Sequence, residues 1–301
     1  MRLSSPTPTA READSVPPIA ADTAPGAVTL TVADLNRSRA FYEDALGLRA
    51  QELDDGGLGF AAPDAETLVR VYADPTAPAL DRRSTGLFHL AILLPSRVDL
   101  GHALIRLADA QWPLDGASDH LVSEALYLSD PDGNGIEIYR DRPRGEWRHD
   151  HDQLQMATLP LDLRSIIAEL GPDPAPQPTV PPDTVMGHVH LQVADLEAAE
   201  AFYHGVLGFD VTVRGYPGAL FVSAGGYHHH LGLNTWNSAG AGPAPAGAVG
   251  LRSYEVLLPD AAELERVRRR VDAAGLSVEA DSSGAATVWD PSGNRVVLRS
   301  R

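Results

Sequence analysis

The stretch Met-Gly-His-Val-His-Leu-Gln-Val-Ala-Asp-Leu, residues 186–196, decides how the rest of the chain is interpreted. Its apolar residues alternate with His188, His190 and a glutamine, which is the period of a β-strand. Asp195 follows as a typical helix N-cap, and Gly208 is placed to end the helix that Asp195 begins. The stretch therefore predicts a histidine-bearing strand that leads directly into a helix.

The same pattern occurs earlier, in Gly-Ala-Val-Thr-Leu-Thr-Val-Ala-Asp-Leu, residues 26–35. The offset between the copies is 161 residues, and both copies continue with an Ala-Phe-Tyr triplet and a Leu-Gly pair. Repetition at a fixed offset indicates an internal duplication. The copies differ in their chemistry, because Ala27 and Thr29 occupy the positions that His188 and His190 occupy in the second copy.

Composition excludes several classes of function. The 301 residues are 44% apolar, which is typical of a globular protein with room for two domains. A net charge of −17 would repel nucleic acids and anionic membranes. All 24 basic residues are arginine and there is no cysteine, which excludes lysine Schiff bases, disulfides and thiolate catalysis. No apolar run is long enough to span a membrane, and we expect a cytoplasmic protein.

Four segments of similar design follow one another along the chain. Each is predicted to contain a strand, a helix and shorter strands, and they span about 26–74, 87–140, 186–237 and 250–299. The second and fourth segments end in Asp-Pro-x-Gly-Asn turns, in which proline presets φ and glycine and asparagine tolerate positive φ. The chain is thus predicted to be four units in two pairs.

These units predict the domain organisation. Residues 1–25 are rich in Ala, Pro, Ser and Thr and lack the apolar core of a signal peptide, so they are predicted to be a disordered tail. The paired units predict an N-terminal domain over 26–142 and a C-terminal domain over 185–301. Proline-rich stretches around one short helix, residues 143–184, predict a linker between the two domains.

Together, the four units, the Phe-Tyr helices and the Asp-Pro-x-Gly-Asn turns resemble the vicinal oxygen chelate superfamily. This superfamily includes glyoxalase I, bleomycin-resistance proteins and type I extradiol dioxygenases. Residues 116–134 and 219–236 are more similar still to bacterial catechol-2,3-dioxygenases. The resemblance covers nearly everything from residue 26 to 301. It implies an α+β fold of four βαβββ units in two tandem domains, whose curled mixed sheets cup a divalent metal chelated by two vicinal substrate oxygens.

The resemblance also implies where the metal ligands lie, because the family places them on the first and last strands of each unit. Units one and four offer no complete set there, with Ala27, Ser253, Val297 and a residue near Val69. Units two and three offer one set, which is made of His89, Glu137 and His188. We therefore expect one metal site built across the two domains and one cup without a site.

Two imidazoles and one carboxylate leave coordination positions open, as non-haem Fe(II) requires for a bidentate substrate and O₂. Fe(II) is therefore the expected cofactor, with Mn(II), Zn(II) or Ni(II) as alternatives. In extradiol enzymes the strand corresponding to residues 228–233 carries an acid–base histidine, which the resemblance places at His229. In glyoxalases the same strand carries a ligand, so His229 is either the general base or a fourth ligand.

Further side chains are candidates for substrate contact. His190 faces the same way as His188 and either supports the ligands or contacts the substrate. His120, Tyr139 and His230 are also assigned to substrate binding. His102, His149, His151 and His204 are expected on the surface.

The resulting prediction is a metal-dependent extradiol ring-cleaving dioxygenase that acts on a catechol-type aromatic diol with O₂. One alternative is a glyoxalase-like isomerase or lyase, which would move a carbon-bound proton and consume no O₂. Another is a non-catalytic binding protein of the bleomycin-resistance type. The fold alone hosts all three. The expected partners are the small-molecule diol and O₂, with no nucleic acid and no membrane, and this fold's tendency to pair cups suggests a homo-oligomer.

Overall fold

A computed structural model describes residues 16–151, 153–282 and 284–301. Unit one contains β1 (Ala24–Val32), α1 (Leu35–Ala40), β2 (Arg49–Glu52), β3 (Leu58–Ala61) and β4 (Thr67–Ala73). Unit two contains β5 (Gly86–Leu94), α2 (Arg97–Asp109), β6 (Gly116–Asp119), β7 (Ser123–Ser129) and β8 (Gly135–Asp141). The linker contains β9 (His149–Asp150), β10 (Gln153–Leu154), β11 (Leu159–Pro160) and α3 (Leu163–Glu169).

The second half repeats the design of the first. Unit three contains β12 (Val185–Gln192), α4 (Leu196–Tyr203), β13 (Asp210–Val213), β14 (Ala219–Ser223) and β15 (Leu231–Asn234). Unit four contains β16 (Gly250–Leu258), α5 (Ala261–Ala273), β17 (Glu279–Ala280), β18 (Ala286–Trp289) and β19 (Arg295–Ser300). The predicted α+β fold of four βαβββ units is therefore confirmed. None of the helices in the described part of the chain is long and apolar enough to cross a membrane.

The units pair across the halves of the chain. Units two and three, together with β11 of the linker, form one nine-stranded sheet with the order β11-β6-β7-β8-β5-β12-β15-β14-β13. Units one and four form an eight-stranded sheet with the order β17-β18-β19-β16-β1-β4-β3-β2. The strands at the two junctions, β5 with β12 and β1 with β16, are antiparallel, whereas the first and last strands within each unit are parallel. Each sheet therefore takes one unit from each half.

The repeated sequence motifs bond to one another. The Tyr42 hydroxyl donates to Asp130 at 3.3 Å, and in the second half the Tyr203 hydroxyl donates to Asp290 at 2.9 Å. In each Asp-Pro-x-Gly-Asn turn, the aspartate also accepts from the backbone and side-chain amides of the asparagine. Burial raises the pKa of Asp130 and of Asp290. The Phe-Tyr helix and the Asp-Pro-x-Gly-Asn turn thus form the same hydrogen-bonded arrangement in both halves of the chain.

The observed helix N-termini agree with the sequence prediction more closely than the C-termini do. Asp34 and Asp195 are N-caps, and their side chains accept hydrogen bonds from the first-turn amides. The helix after Asp34 is α-helical only from Leu35 to Ala40 and continues as a π-helical turn, Phe41–Ala45. The helix after Asp195 ends before Gly208, which still has a positive φ of 89°.

The stretch assigned to the tail is only partly outside the described residues. Residues 1–15 lie outside them. From residue 16 the chain packs on the fold: Ile19 is buried, and its amide donates to the Gly208 carbonyl at 2.8 Å. Ala24 already belongs to β1.

Two glycines of the duplicated motif mark places of close packing. A Cβ on Gly187 would lie 1.9 Å from the Tyr139 hydroxyl oxygen, and a Cβ on Gly26 would lie 2.8 Å from the Glu255 Cβ. Gly187 also interrupts the regular pairing of β12 with β5 between Met186 and His188. The shared glycine therefore lets a neighbouring strand's side chain approach the backbone.

We predict that Gly187→Ala lowers the free energy of unfolding by about 1–3 kcal/mol, because the new methyl group must displace the buried Tyr139 ring. Urea denaturation followed by circular dichroism would measure the change. Gly116→Ala is the matched control, since no atom lies within 4 Å of its added Cβ, and it should change stability by only a few tenths of a kcal/mol. Equal effects of the two substitutions would contradict the packing argument.

Candidate metal centre and substrate pocket

The three predicted ligands lie on three adjacent strands of the nine-stranded sheet. Ala91 of β5 is in register with Glu137 of β8 on one side and with His188 of β12 on the other. His89 lies two residues before Ala91 and faces the same way. Because the residue between Glu137 and His188 is only an alanine, both long side chains have room to lean over it toward each other.

The ligand atoms converge closely. The Oε2 atom of Glu137 lies 3.0 Å from the Nε2 atom of His89 and 3.1 Å from the Nε2 atom of His188. The two Nε2 atoms are 3.3 Å apart. Donors bonded at about 2.1 Å and at right angles around one ion lie about 3.0 Å apart, and tetrahedral donors about 3.4 Å. The spacing therefore fits three neighbouring positions around one divalent metal.

The protonation states suit metal binding. Burial alone would raise the pKa of Glu137, but the nearby His188 and His89 bring it well below its ordinary value. Burial lowers the pKa of His188 to about 4, against the opposing pull of Glu137. Carboxylate and neutral imidazole are the forms that bind a metal, so near neutral pH no proton has to leave these two residues first.

The eight-stranded sheet has no such cluster among its described residues. The corresponding positions carry Ala27 and Ser253, and near them Arg70 and Glu255 form an ion pair at 2.7 Å. Glu255 also accepts a hydrogen bond from the Ala27 amide at 3.2 Å. Within the described part of the chain, His89, Glu137 and His188 are the only group found with metal-ligand spacing.

A cavity of about 240 Å³ opens above these three residues. The other residues that line it are Phe88, Ser118, His120, Ser123, Tyr127, Met156, Ala157, Thr158, His190, Tyr216, Phe221, His229 and Trp236. The predicted residues His120, His190 and His229 are thus brought together with the metal cluster. Burial lowers the pKa of His190 and of His229 well below the usual range.

Two residues assigned to substrate contact lie behind the pocket wall instead. The Tyr139 hydroxyl is 2.7 Å from the Tyr227 hydroxyl, and its ring packs on His188. The Nδ1 atom of His230 accepts from the Ala224 amide at 3.2 Å, and its ring stacks on Tyr227. Neither residue lines the cavity, so both are placed to support it.

Tyr127 lines the pocket, although it was not among the residues predicted from the sequence. Its hydroxyl is 2.7 Å from the Nε2 atom of His120, whose Nδ1 atom lies 2.7 Å from the Ala157 carbonyl oxygen. A carbonyl only accepts, so in neutral His120 the Nδ1–H donates to Ala157 and Nε2 accepts from Tyr127. Burial and the nearby Glu137 raise the pKa of Tyr127 well above 10. The sequence contained a signal for Tyr127. Tyr127 and Glu137 lie on the strands before and after the turn at Asp130, and the two residues pair across β7 and β8.

The linker also contributes to the site, which its composition did not indicate. Residues 156–158 form one wall of the cavity, and β11 holds them by pairing with β6. The Thr158 hydroxyl is 3.0 Å from the Tyr216 hydroxyl of the opposite wall. Phe88, Phe221 and Trp236 complete a largely aromatic lining; they come from separate strands and loops, so no local pattern predicts them.

Comparison with known proteins agrees with this architecture. A solved structure from Bacillus subtilis strain 168 superposes with a TM-score of 0.65 at 13% identity, covering 95% of this chain and 86% of the other. Glyoxalase I from Zea mays superposes with a TM-score of 0.56 at 16% identity, covering 92% of both chains. At such low identity these two likenesses concern the fold alone.

Sequence comparison extends further than the fold. The chain is 46% identical over 274 residues to the catechol-2,3-dioxygenase of Bacillus subtilis strain 168, covering 90% of this chain and 94% of the relative. A family model matches residues 24–138 and again 185–298, one match in each half of the duplication. The chain belongs to the glyoxalase/bleomycin resistance protein/dioxygenase superfamily.

Proposed function

We propose that this protein is a metal-dependent extradiol dioxygenase that cleaves a catechol-type aromatic diol with O₂. The observation that carries the proposal is the cluster of His89, Glu137 and His188 at the floor of an aromatic pocket. The similarity to a catechol-2,3-dioxygenase supports the same reaction class.

The donor set favours Fe(II) as the metal. Two imidazole nitrogens and one carboxylate oxygen on one face form the arrangement of non-haem iron oxygenases. A divalent metal held by these residues would supply the positive charge that lowers the pKa of a diol hydroxyl, and open positions for the reactants. Mn(II), Zn(II) and Ni(II) are alternative ions for the same three donors.

The pocket residues would bind and orient the ring. Phe88, Phe221 and Trp236 offer apolar faces and edges against which an aromatic ring can pack. Glu137 is the only acidic residue, and arginine is absent, among the described residues that line the cavity. A substrate with a further carboxylate would find no counter-ion in this lining, so the geometry favours a diol without charged substituents.

Proton transfer falls to His229, and a second group at the pocket surface can hold a polar part of the substrate. Burial lowers the pKa of His229 well below its ordinary value, so the imidazole is neutral near pH 7 and available as a base toward a diol hydroxyl. On the opposite wall, Tyr127 and His120 form a hydrogen-bonded pair that can hold a polar group of the substrate or product. The apolar rings around them exclude water from the reacting atoms.

Metal content and O₂ consumption test the proposal directly. Protein purified without oxygen and reconstituted with Fe(II) should bind about one metal per chain and consume O₂ when given catechol, with a yellow ring-cleavage product. In His188→Ala and Glu137→Ala we expect loss of the metal and a fall in rate of more than about 100-fold, since losing even an outer partner of a ligand costs 10–100-fold. His149→Ala, on the exposed β9, is the control and should match the wild type.

The other outcomes separate the alternatives. Bound metal without O₂ uptake on any catechol would favour a glyoxalase-like isomerase or lyase. Failure to bind any divalent metal would leave a binding protein of the bleomycin-resistance type and would overturn the proposed site.

Substrate charge gives a second test. We expect kcat/KM to be at least about tenfold higher for 4-methylcatechol than for 3,4-dihydroxybenzoate, because a buried carboxylate without a partner is costly. Met156→Arg should narrow this ratio by supplying a cation at the pocket wall, whereas Met156→Gln, of similar length but uncharged, should not. A preference of the wild type for the carboxylated substrate would refute the charge argument.

Acidification should destabilise the metal-free protein. Burial holds the pKa of His188 at about 4 and that of His230 at about 3, below the ordinary 6.5. Below about pH 6.5 the unfolded chain therefore binds protons that the folded chain does not, and stability falls as the pH falls. Each such histidine contributes roughly 1.4 kcal/mol per pH unit. Urea titrations between pH 7 and 4 would measure the slope, and a flat profile would contradict the assignment of buried neutral histidines.

A further inference from the structure

A chain of hydrogen bonds runs from the side of the molecule into the pocket. The Oδ1 atom of Asp141 lies 2.8 Å from the Nε2 atom of His228, and the Nδ1 atom of His228 lies 2.8 Å from the Nδ1 atom of His229. The same Oδ1 atom accepts from the Tyr227 hydroxyl at 3.2 Å, which in turn meets the Tyr139 hydroxyl at 2.7 Å. Of the residues in this hydrogen-bond network, only His229 lines the cavity.

The Asp141 carboxylate determines which atom donates and which accepts in each hydrogen bond of this network. Ionised Asp141 can only accept, so the Nε2 atom of His228 must carry a proton and donate. Neutral His228 then has a lone pair at Nδ1, and the Nδ1 atom of His229 must donate to it. Neutral His229 consequently has no proton on Nε2, and its only hydrogen bond to a described residue is the one made by Nδ1.

Burial makes an unpaired N–H on His228 costly. It is fully buried, and its ring packs against the rings of Tyr227 and Trp147, with centroids 4.0 and 5.3 Å away. Asp141, the last residue of β8, remains a quarter exposed and accepts from this buried ring. Leaving a buried N–H unpaired costs about 1–3 kcal/mol, which is enough to bias a tautomer strongly.

We propose that Asp141, acting through His228, fixes the tautomer of His229, so that His229 presents an unprotonated Nε2 atom to the diol. Asp141 and His228 are thus positioning residues and His229 is the catalytic base. The role of His229 as the base rests on the proposed dioxygenase function, whereas the tautomers themselves do not. The two buried tyrosines belong to the same network. Tyr227 donates to the Asp141 carboxylate, and Tyr139 donates to the Tyr227 hydroxyl.

The tautomers can be read by nitrogen-15 NMR of the histidine side chains in zinc-loaded protein, which is diamagnetic. We expect His228 to be protonated on Nε2 and His229 on Nδ1. The His229 resonances would be assigned by their absence in His229→Asn. Protonation of His229 on Nε2, or a doubly protonated His228, would overturn the proposal.

Two substitutions at Asp141 separate its roles. Asp141→Leu removes the acceptor while keeping a side chain of similar shape, so the Nδ1–H form of His229 should lose its bias. The value of kcat should fall about 10–100-fold, less than the roughly 100–10,000-fold that a general base contributes, because His229 itself remains. Asp141→Asn removes the charge but keeps an amide oxygen that can accept from His228. It should retain the wild-type tautomer and a kcat within about threefold.

The controls distinguish this proposal from a structural effect and from the proposed function. KM and metal content should be unchanged in both variants, because Asp141 lies outside the pocket lining and the ligand set. Asp141→Leu with wild-type kcat and tautomer would refute the positioning role. If the wild type shows the expected tautomers but cleaves no catechol, the dioxygenase function fails while the positioning inference stands.

Discussion

The antiparallel contact between β5 and β12 is the constraint on which the site depends. It joins a unit from the first half of the chain to one from the second, and it puts Ala91 in register with His188. Since β8 pairs with β5 on its other side, Glu137 enters the same row. Either half alone holds an incomplete set of ligands. The small side chain of Ala91 matters as much as the ligands do, because a larger residue would stand between Glu137 and His188.

The pocket and its surroundings contain several buried histidines, whose protonated forms would cost desolvation free energy. Burial keeps His188, His190, His229 and His230 neutral by lowering their pKa values. Two carboxylates contact this array: Glu137 lies beside the Nε2 atoms of the candidate ligands His89 and His188, and Asp141, at the end of β8, accepts from His228. Because a carboxylate only accepts, Asp141 also determines which nitrogen of His228 carries the proton.

The eight-stranded sheet has the same architecture without a metal-type cluster among its described residues. An ion pair joins Arg70 to Glu255, and the Glu255 carboxylate also accepts from the Ala27 amide. Glu255 is buried, and a buried carboxylate needs such partners to offset its desolvation. The two sheets thus share one design and differ in chemistry, with a cluster of metal-ligand type in one and an ion pair in the other.

Much of this could be predicted from the sequence. The duplication at a fixed offset, the strand period around His188 and the aspartate N-caps are local features, and they specified four βαβββ units because backbone propensities act over a few residues. The candidate ligand positions came from the resemblance to the superfamily, and the structure brings His89, Glu137 and His188 together. The tertiary structure alone decided the rest. It brought residues 156–158 of the linker into the pocket wall, placed Tyr127 beside His120 and moved Tyr139 behind the wall. Such contacts depend on how separate strands pair and on which buried donor finds an acceptor, and a single stretch of sequence contains only one partner of each.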